Sequence, residues 1–172
     1  MENLEFDKLL LKTAFACMAC DGEIDDREIT LIKEMHNALK LFGDIDIVSE
    51  LNSLVEIINK DGKKFIGVYF DELTKSELSN HQELKIIEVA IDTIKADDKI
   101  EYSEIKFFKV IRSKLKIDND SILKSLPEIE DYLEKDIISQ TYLLNLQDGY
   151  FDDFNLTEFQ KIGDIDRDSV ID

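Results

Sequence analysis

The chain has 172 residues, a formal net charge of −18, and 44% hydrophobic against 35% charged residues. That composition fits one globular domain able to bury roughly two-thirds of its unfolded surface, and it excludes a disordered chain. So acidic a surface repels nucleic acid and anionic lipid, both of which are bound by neutralising phosphate with Lys and Arg, and no apolar run approaches the roughly 20 residues of a membrane-spanning helix.

Six glycines and one proline favour long helices over a turn-rich β fold. The opening "MENLEFDKLL" is acidic, with no basic region ahead of an apolar one. It reads as no export signal, and two cysteines three positions apart fit a reducing cytoplasm.

The first informative stretch is "FACMACDGEIDDREI" from Phe15 to Ile29. A Cys-x-x-Cys pair can be a redox motif or half of a zinc site. Here both cysteines close an apolar helix, beside carboxylates that raise a thiol pKa, and His36 and His81 are the only histidines available to complete a zinc site. Cys17 and Cys20 are therefore expected to be buried space-fillers, with no zinc.

The same stretch opens an internal repeat. With Leu10 placed on Ile86, Leu11, Ala14, Phe15 and Met18 fall on Ile87, Ala90, Ile91 and Ile94. The turn residues Asp21, Ile24, Asp25 and Glu28 fall on Asp97, Ile100, Glu101 and Glu104. Beyond the turn, Ile29, Ile32, Met35 and Leu39 fall on Ile105, Phe108, Ile111 and Leu115, three or four apart as on one buried helical stripe. Each copy, about 8–41 and 84–117, reads as helix, acidic turn, helix.

The turns have two open readings. Asp25 with Glu28 spells a capping box, and Gly22 can adopt the left-handed conformation that ends a helix. Glu101, at the place of Asp25, is a poor cap, so the second copy keeps the acidity without the full capping logic. Caps alone, or a hard divalent cation such as Ca²⁺ or Mg²⁺ on Asp21, Asp25, Glu28, Asp97, Glu101 and Glu104, both remain open.

Between the copies, Val48, Leu51, Val55 and Ile58 form a helical stripe ending near "NKDGKK". "FIGVYFDEL" has strand-like composition, but Phe65, Tyr69 and Leu73 fall four apart and predict a helix running toward Ser79. His81 is expected as an exposed residue before an amphipathic helix. After Leu115, "KIDNDSILKSL" starts another helical stretch, and Pro127 is expected to open a helix through Tyr142. "QDGYFDD" from Gln147 echoes "CDGEIDD" from Cys20. Residues 162–172 form an acidic tail in which Asp164, Asp166 and Asp168 alternate as in the start of a calcium loop, without its glycine or terminal glutamate. The predicted fold is all-α: one helical-bundle domain over 1–161, built from two pseudo-repeated hairpins plus extra C-terminal helices.

The turns "ACDGEIDDREITLIKEM" and "KADDKIEYSEIKFFKVI" resemble those of the tellurite-resistance TerB-like family over about residues 4 to 117. Asp98 departs from it, standing where a glycine is usual. The resemblance implies an all-helical cytoplasmic module of stress-response or defence systems. It further implies cation binding through Asp21, Glu28, Asp97 and Glu104, and membrane-associated or calcium-binding protein partners. The residues themselves carry no Gly-rich phosphate loop, nucleophile elbow or His-Glu-x-x-His pair. They predict a non-catalytic acidic binding module with a protein partner, no nucleic acid and no membrane insertion. The second expectation is an acidic inhibitor or immunity-type protein that docks on a basic enzyme such as a nuclease, anchored by Tyr69, Phe70, Tyr150 or Phe151.

Overall fold

The computed structural model describes residues 2–20, 22, 24, 26–97 and 102–133. These form eight helices and no strand: α1 Glu2–Ala19, α2 Asp26–Leu39, α3 Ile47–Asp61, α4 Lys63–Lys75, α5 Asn80–Ile94, α6 Tyr102–Lys114, α7 Asn119–Ser125 and α8 Glu130–Leu133. Short 3-10 turns at Lys95–Asp97 and Pro127–Ile129 precede α6 and α8. Among the described residues no helix is long and apolar enough to cross a membrane.

From Leu9 to Cys20 every residue of the α1 segment except Lys12 is buried. A helix apolar on all sides must be surrounded, and α1 packs against α3, α4, α5 and α6. Its most extensive contact is with α5, where Ile86, Ile87, Ala90, Ile91 and Ile94 are all buried. Phe15 meets Phe65 of α4 edge to face at 5.6 Å, and Phe70 of α4 meets Phe107 of α6 at 5.4 Å.

The polar groups drawn into this core are paired, as low dielectric requires. Tyr69 donates its hydroxyl to Thr13 Oγ1 at 2.8 Å, and Thr13 donates in turn to the Leu9 carbonyl at 2.9 Å. Lys12, the polar exception on α1, reaches Glu72 of α4 at 2.6 Å.

Local chemistry sets the helix ends. Asp46 caps α3 by accepting from the Ser49 N–H, and Gly62 (φ 58°) closes it with an N–H to the Ile58 carbonyl. The helix predicted from "FIGVYFDEL" is α4, but it stops at Lys75 and not near Ser79. Ser79 is already the cap of α5, in a capping box with Gln82, and a cap needs extended backbone (Ser79 ψ 160°) that the preceding helix cannot supply. His81 is exposed, though inside the first turn of α5 and not ahead of it.

The expected buried stripe of α2 breaks at its end. Ile29 and Ile32 are buried and Met35 partly so, but Leu39 is 74% exposed. Lys40 takes a left-handed φ of 46°, its N–H closes on the His36 carbonyl, and the chain turns so that Phe42 fills the core in place of Leu39. Gly43 (φ 63°) packs so tightly on α1 that any side chain there would collide with the Asp7 carboxylate.

After α6 the same need is met differently. Leu115 and Ile117 are buried, and the carboxylate of Glu83, only 4% exposed, accepts the N–H groups of Lys116 at 2.9 Å and Ile117 at 2.6 Å. The Arg112 guanidinium donates to the Leu115 and Ile117 carbonyls and to Asn119 Oδ1. Pro127 opens a 3-10 turn leading into α8, described as far as Leu133; the predicted continuation to Tyr142 lies outside the described residues.

Glu83→Ala strands two backbone donors at this joint and should cost about 2–4 kcal/mol, with Glu83→Gln retaining much of it. Urea unfolding should show a lower midpoint at an unchanged slope. A midpoint within error of the parent would refute the joint's role.

Candidate functional site

The first acidic turn begins where α1 ends. Gly22 adopts φ 88° and its N–H bonds the Ala19 carbonyl at 3.1 Å, as a helix-terminating glycine should. Ile24 is partly buried against the core, and α2 starts at Asp26. The second turn runs through Lys95–Asp97 into α6 at Tyr102. Ile100, expected to tuck in like Ile24, lies outside the described residues.

Of the six predicted carboxylates, the side chains of Glu28 and Glu104 are described. Asp21, Asp25 and Glu101 lie outside the described residues, and Asp97 contributes its backbone to the 3-10 turn. Glu28 is the third residue of α2, and Glu104 is the third residue of α6. A carboxylate in a first helical turn is favoured by the exposed N–H groups and the positive end of the helix dipole. Both are nonetheless buried, at 4% and 1% exposure, an unusual fate for a glutamate. Each is engaged by neighbouring groups.

The charges of both glutamates are felt at Cys17 of α1. Burial pushes the Cys17 thiol well above its ordinary pKa, and the charges of Glu28 and then Glu104 push it further. α2 also packs directly on the Lys95–Asp97 turn. The helix that follows the first acidic turn and the start of the second turn are thus neighbours. Among the described residues no three His, Cys, Asp or Glu side chains come together as a metal-holding group.

Cys17 and Cys20 are both buried, and no disulfide joins them. The raised pKa of Cys17 keeps it a thiol, which is neither a nucleophile nor a good metal ligand.

Two aromatic anchors proposed from the sequence are not surface groups. Tyr69 is fully buried and Phe70 is 4% exposed, because α4 turns its Phe65, Tyr69, Leu73 stripe and the adjoining Phe70 toward α1 and α6. Tyr150 and Phe151 lie outside the described residues.

The fold also assembles an acidic ridge that spacing alone concealed. Glu88 and Asp92, one turn apart on α5, are joined by Glu128 from the turn before α8. Loss of solvation and then Asp92 raise the pKa of Glu88, against Lys85 and His81; loss of solvation raises that of Asp92, opposed by Lys95 and aided to a smaller extent by Glu128. Glu128 is distant in sequence, so only the fold brings its charge to bear on α5. A cavity of about 360 Å³ beside α7 is lined by Arg112, Lys116, Asp118 and Asp120 among others. Arg112 is already committed to backbone carbonyls there, and Asp118 caps α7 through the Ser121 N–H at 2.7 Å.

The chain matches no protein-family model, no curated protein and no solved structure.

Two measurements follow from this geometry. In the native protein Cys17 and Cys20 should react with a disulfide reagent only as fast as the chain unfolds. The double Cys→Ala variant should stay folded at a cost of about 1–3 kcal/mol, from the cavities left. Fast labelling of the folded protein would refute the burial argument.

The ridge gives a pH signature. A carboxyl whose folded pKa is raised contributes stability that is present below its ordinary pKa and lost as pH rises through the folded value. Asp92→Asn should therefore raise the melting temperature at neutral pH, and the gain should vanish in acid, where both side chains are uncharged. A gain that persisted at low pH, or a loss at neutral pH, would refute it.

Proposed function

We propose that this chain is a non-catalytic acidic binding module, similar to the TerB-like family, whose interhelical turns hold a divalent cation and whose surface meets a protein partner. In this reading two repeated helical hairpins, about 8–41 and 84–117, lie in one domain spanning 1–161, with 162–172 as an acidic tail. Asp21, Asp25 and Glu28 from one turn and Asp97, Glu101 and Glu104 from the other supply oxygen ligands suited to Ca²⁺ or Mg²⁺. The module serves a stress-response or defence system in the cytoplasm.

One observation carries the reading: two glutamates, each the third residue of the helix that follows an acidic turn, are both buried. A carboxylate in a first helical turn is favoured by the helix N-terminus, and oxygen ligands of this kind suit a hard cation.

The inhibitor reading is second. The ridge of Glu88, Asp92 and Glu128 supports an acidic docking face, but the burial of Tyr69 and Phe70 leaves it without two of its anchors.

Titrating metal-stripped protein with Ca²⁺ or Mg²⁺, followed by melting temperature and amide NMR, tests the first reading. It expects saturable shifts at 21–28 and 97–104 together, with stabilisation growing as RT ln(1 + [L]/Kd) and lost in Asp21→Asn with Asp97→Asn. Shifts confined to 164–172, or none, would end the cation proposal.

A further inference from the structure

α4 has an outward stripe that the fold leaves unused. Lys64, Val68, Asp71 and Lys75 are spaced four, three and four, so they share one side of the helix, and all are exposed, Val68 by 62%. Val68 is one of four large apolar side chains exposed among the described residues. A second, Ile57 at 43%, stands on α3, which packs along α4, and precedes the Gly62 turn by about as far as Val68 follows it. Lys64 and Asp71 form no ion pair with another described residue.

Gly67 lies beside this stripe in mid-helix. A Cβ built there would meet nothing within 4 Å, and the backbone is not left-handed. Glycine weakens a helix interior relative to alanine, and nothing inside the molecule requires it here. What a bare backbone does allow is the close approach of something from outside, and on a helix that something is most simply another helix.

The pattern is complementary to itself. Lys64 and Asp71 are symmetric about the point between Gly67 and Val68. A second α4 laid antiparallel across that point therefore sets each Val68 against the partner's Gly67 and each Lys64 opposite the partner's Asp71. This is the arrangement a two-fold axis demands, in which each contact is made twice. The stripe carries two lysines and one aspartate, so it lacks the acidity of the chain as a whole, which carries −18 and repels its own copies elsewhere.

We propose that the outer face of α4 is a two-fold interface between two copies of this chain, crossing at Gly67 and Val68. One helix of 13 residues against another is a contact below the standard size, about 1,200 Å² or less in total, so the dimer is weak and forms in the micromolar range or above. Moderate salt strengthens it by screening the overall repulsion.

Sedimentation of the full chain over a micromolar to millimolar series at physiological salt should show a monomer–dimer equilibrium. Val68→Asp should weaken it by about tenfold or more. Lys64→Asp and Asp71→Lys should each self-associate less than the parent, because each sets like charges opposite one another twice. Mixed together, those two variants should form a heterodimer at least as readily as the parent, because every opposed pair is again of unlike sign. Gly67→Ala should raise the melting temperature of the dilute monomer while weakening the dimer. All four positions are exposed, so circular dichroism should report an intact fold in every variant. A parent that stays monomeric throughout, a dimer indifferent to Val68→Asp, or single charge variants that do not pair on mixing would each overturn the interface.

Discussion

The burial of α1 is the constraint on which the rest of the structure depends. From Leu9 to Cys20 it exposes no polar face, so it cannot lie on a surface. Four helices have to enclose it, and their own apolar stripes are what close around it. The few polar atoms carried inside, at Thr13 and Tyr69, then have to find one another, since water cannot reach them. Lys12 escapes by reaching Glu72 at the edge of α4.

Enclosing α1 also fixes where the acidic turns go. α1 and α5 pack along each other, and each is followed by a turn and a helix that must fold back beside the pair. Glu28 and Glu104 ride on the first turns of those returning helices and arrive at the same end of α1. Their burial is thus partly a consequence of helix packing, with the helix N-termini offsetting some of the cost. Two carboxylates kept in the core at matching positions of two helices are why the turns remain the centre of the functional proposal.

One buried carboxylate holds the chain as it leaves α6: Glu83 accepts the N–H groups of Lys116 and Ile117, which would otherwise be left without partners. Charge on the outside is distributed differently. Glu88, Asp92 and Glu128 gather acidic charge beside Lys85 and Lys95, whereas the outer stripe of α4 carries Lys64, Asp71 and Lys75. These are two chemically distinct surfaces, the first the face proposed for a basic partner and the second the face proposed for a copy of the chain.

The sequence by itself determined the all-helical character, the positions of α1, α3, α5 and α6, the fate of the cysteines and the helix-ending role of Gly22. Each of these follows from local rules: apolar spacing, the scarcity of glycine and proline, and backbone preference. It misjudged Leu39, because periodicity does not register where a helix unwinds, and Phe42 takes the core place only after the turn at Lys40. It misjudged Tyr69 and Phe70, because an aromatic suited to an anchor is equally suited to a core, and only the neighbours of α4 decide between them. It overran α4 to Ser79, since the serine's capping role depends on the helix that follows. The burial of Glu28 and Glu104, the nearness of Glu128 to the α5 carboxylates and the outward placement of Gly67 and Val68 belong to tertiary structure alone. Residues far apart in sequence are brought together by packing, and no periodicity within a helix encodes which of its faces another helix will cover.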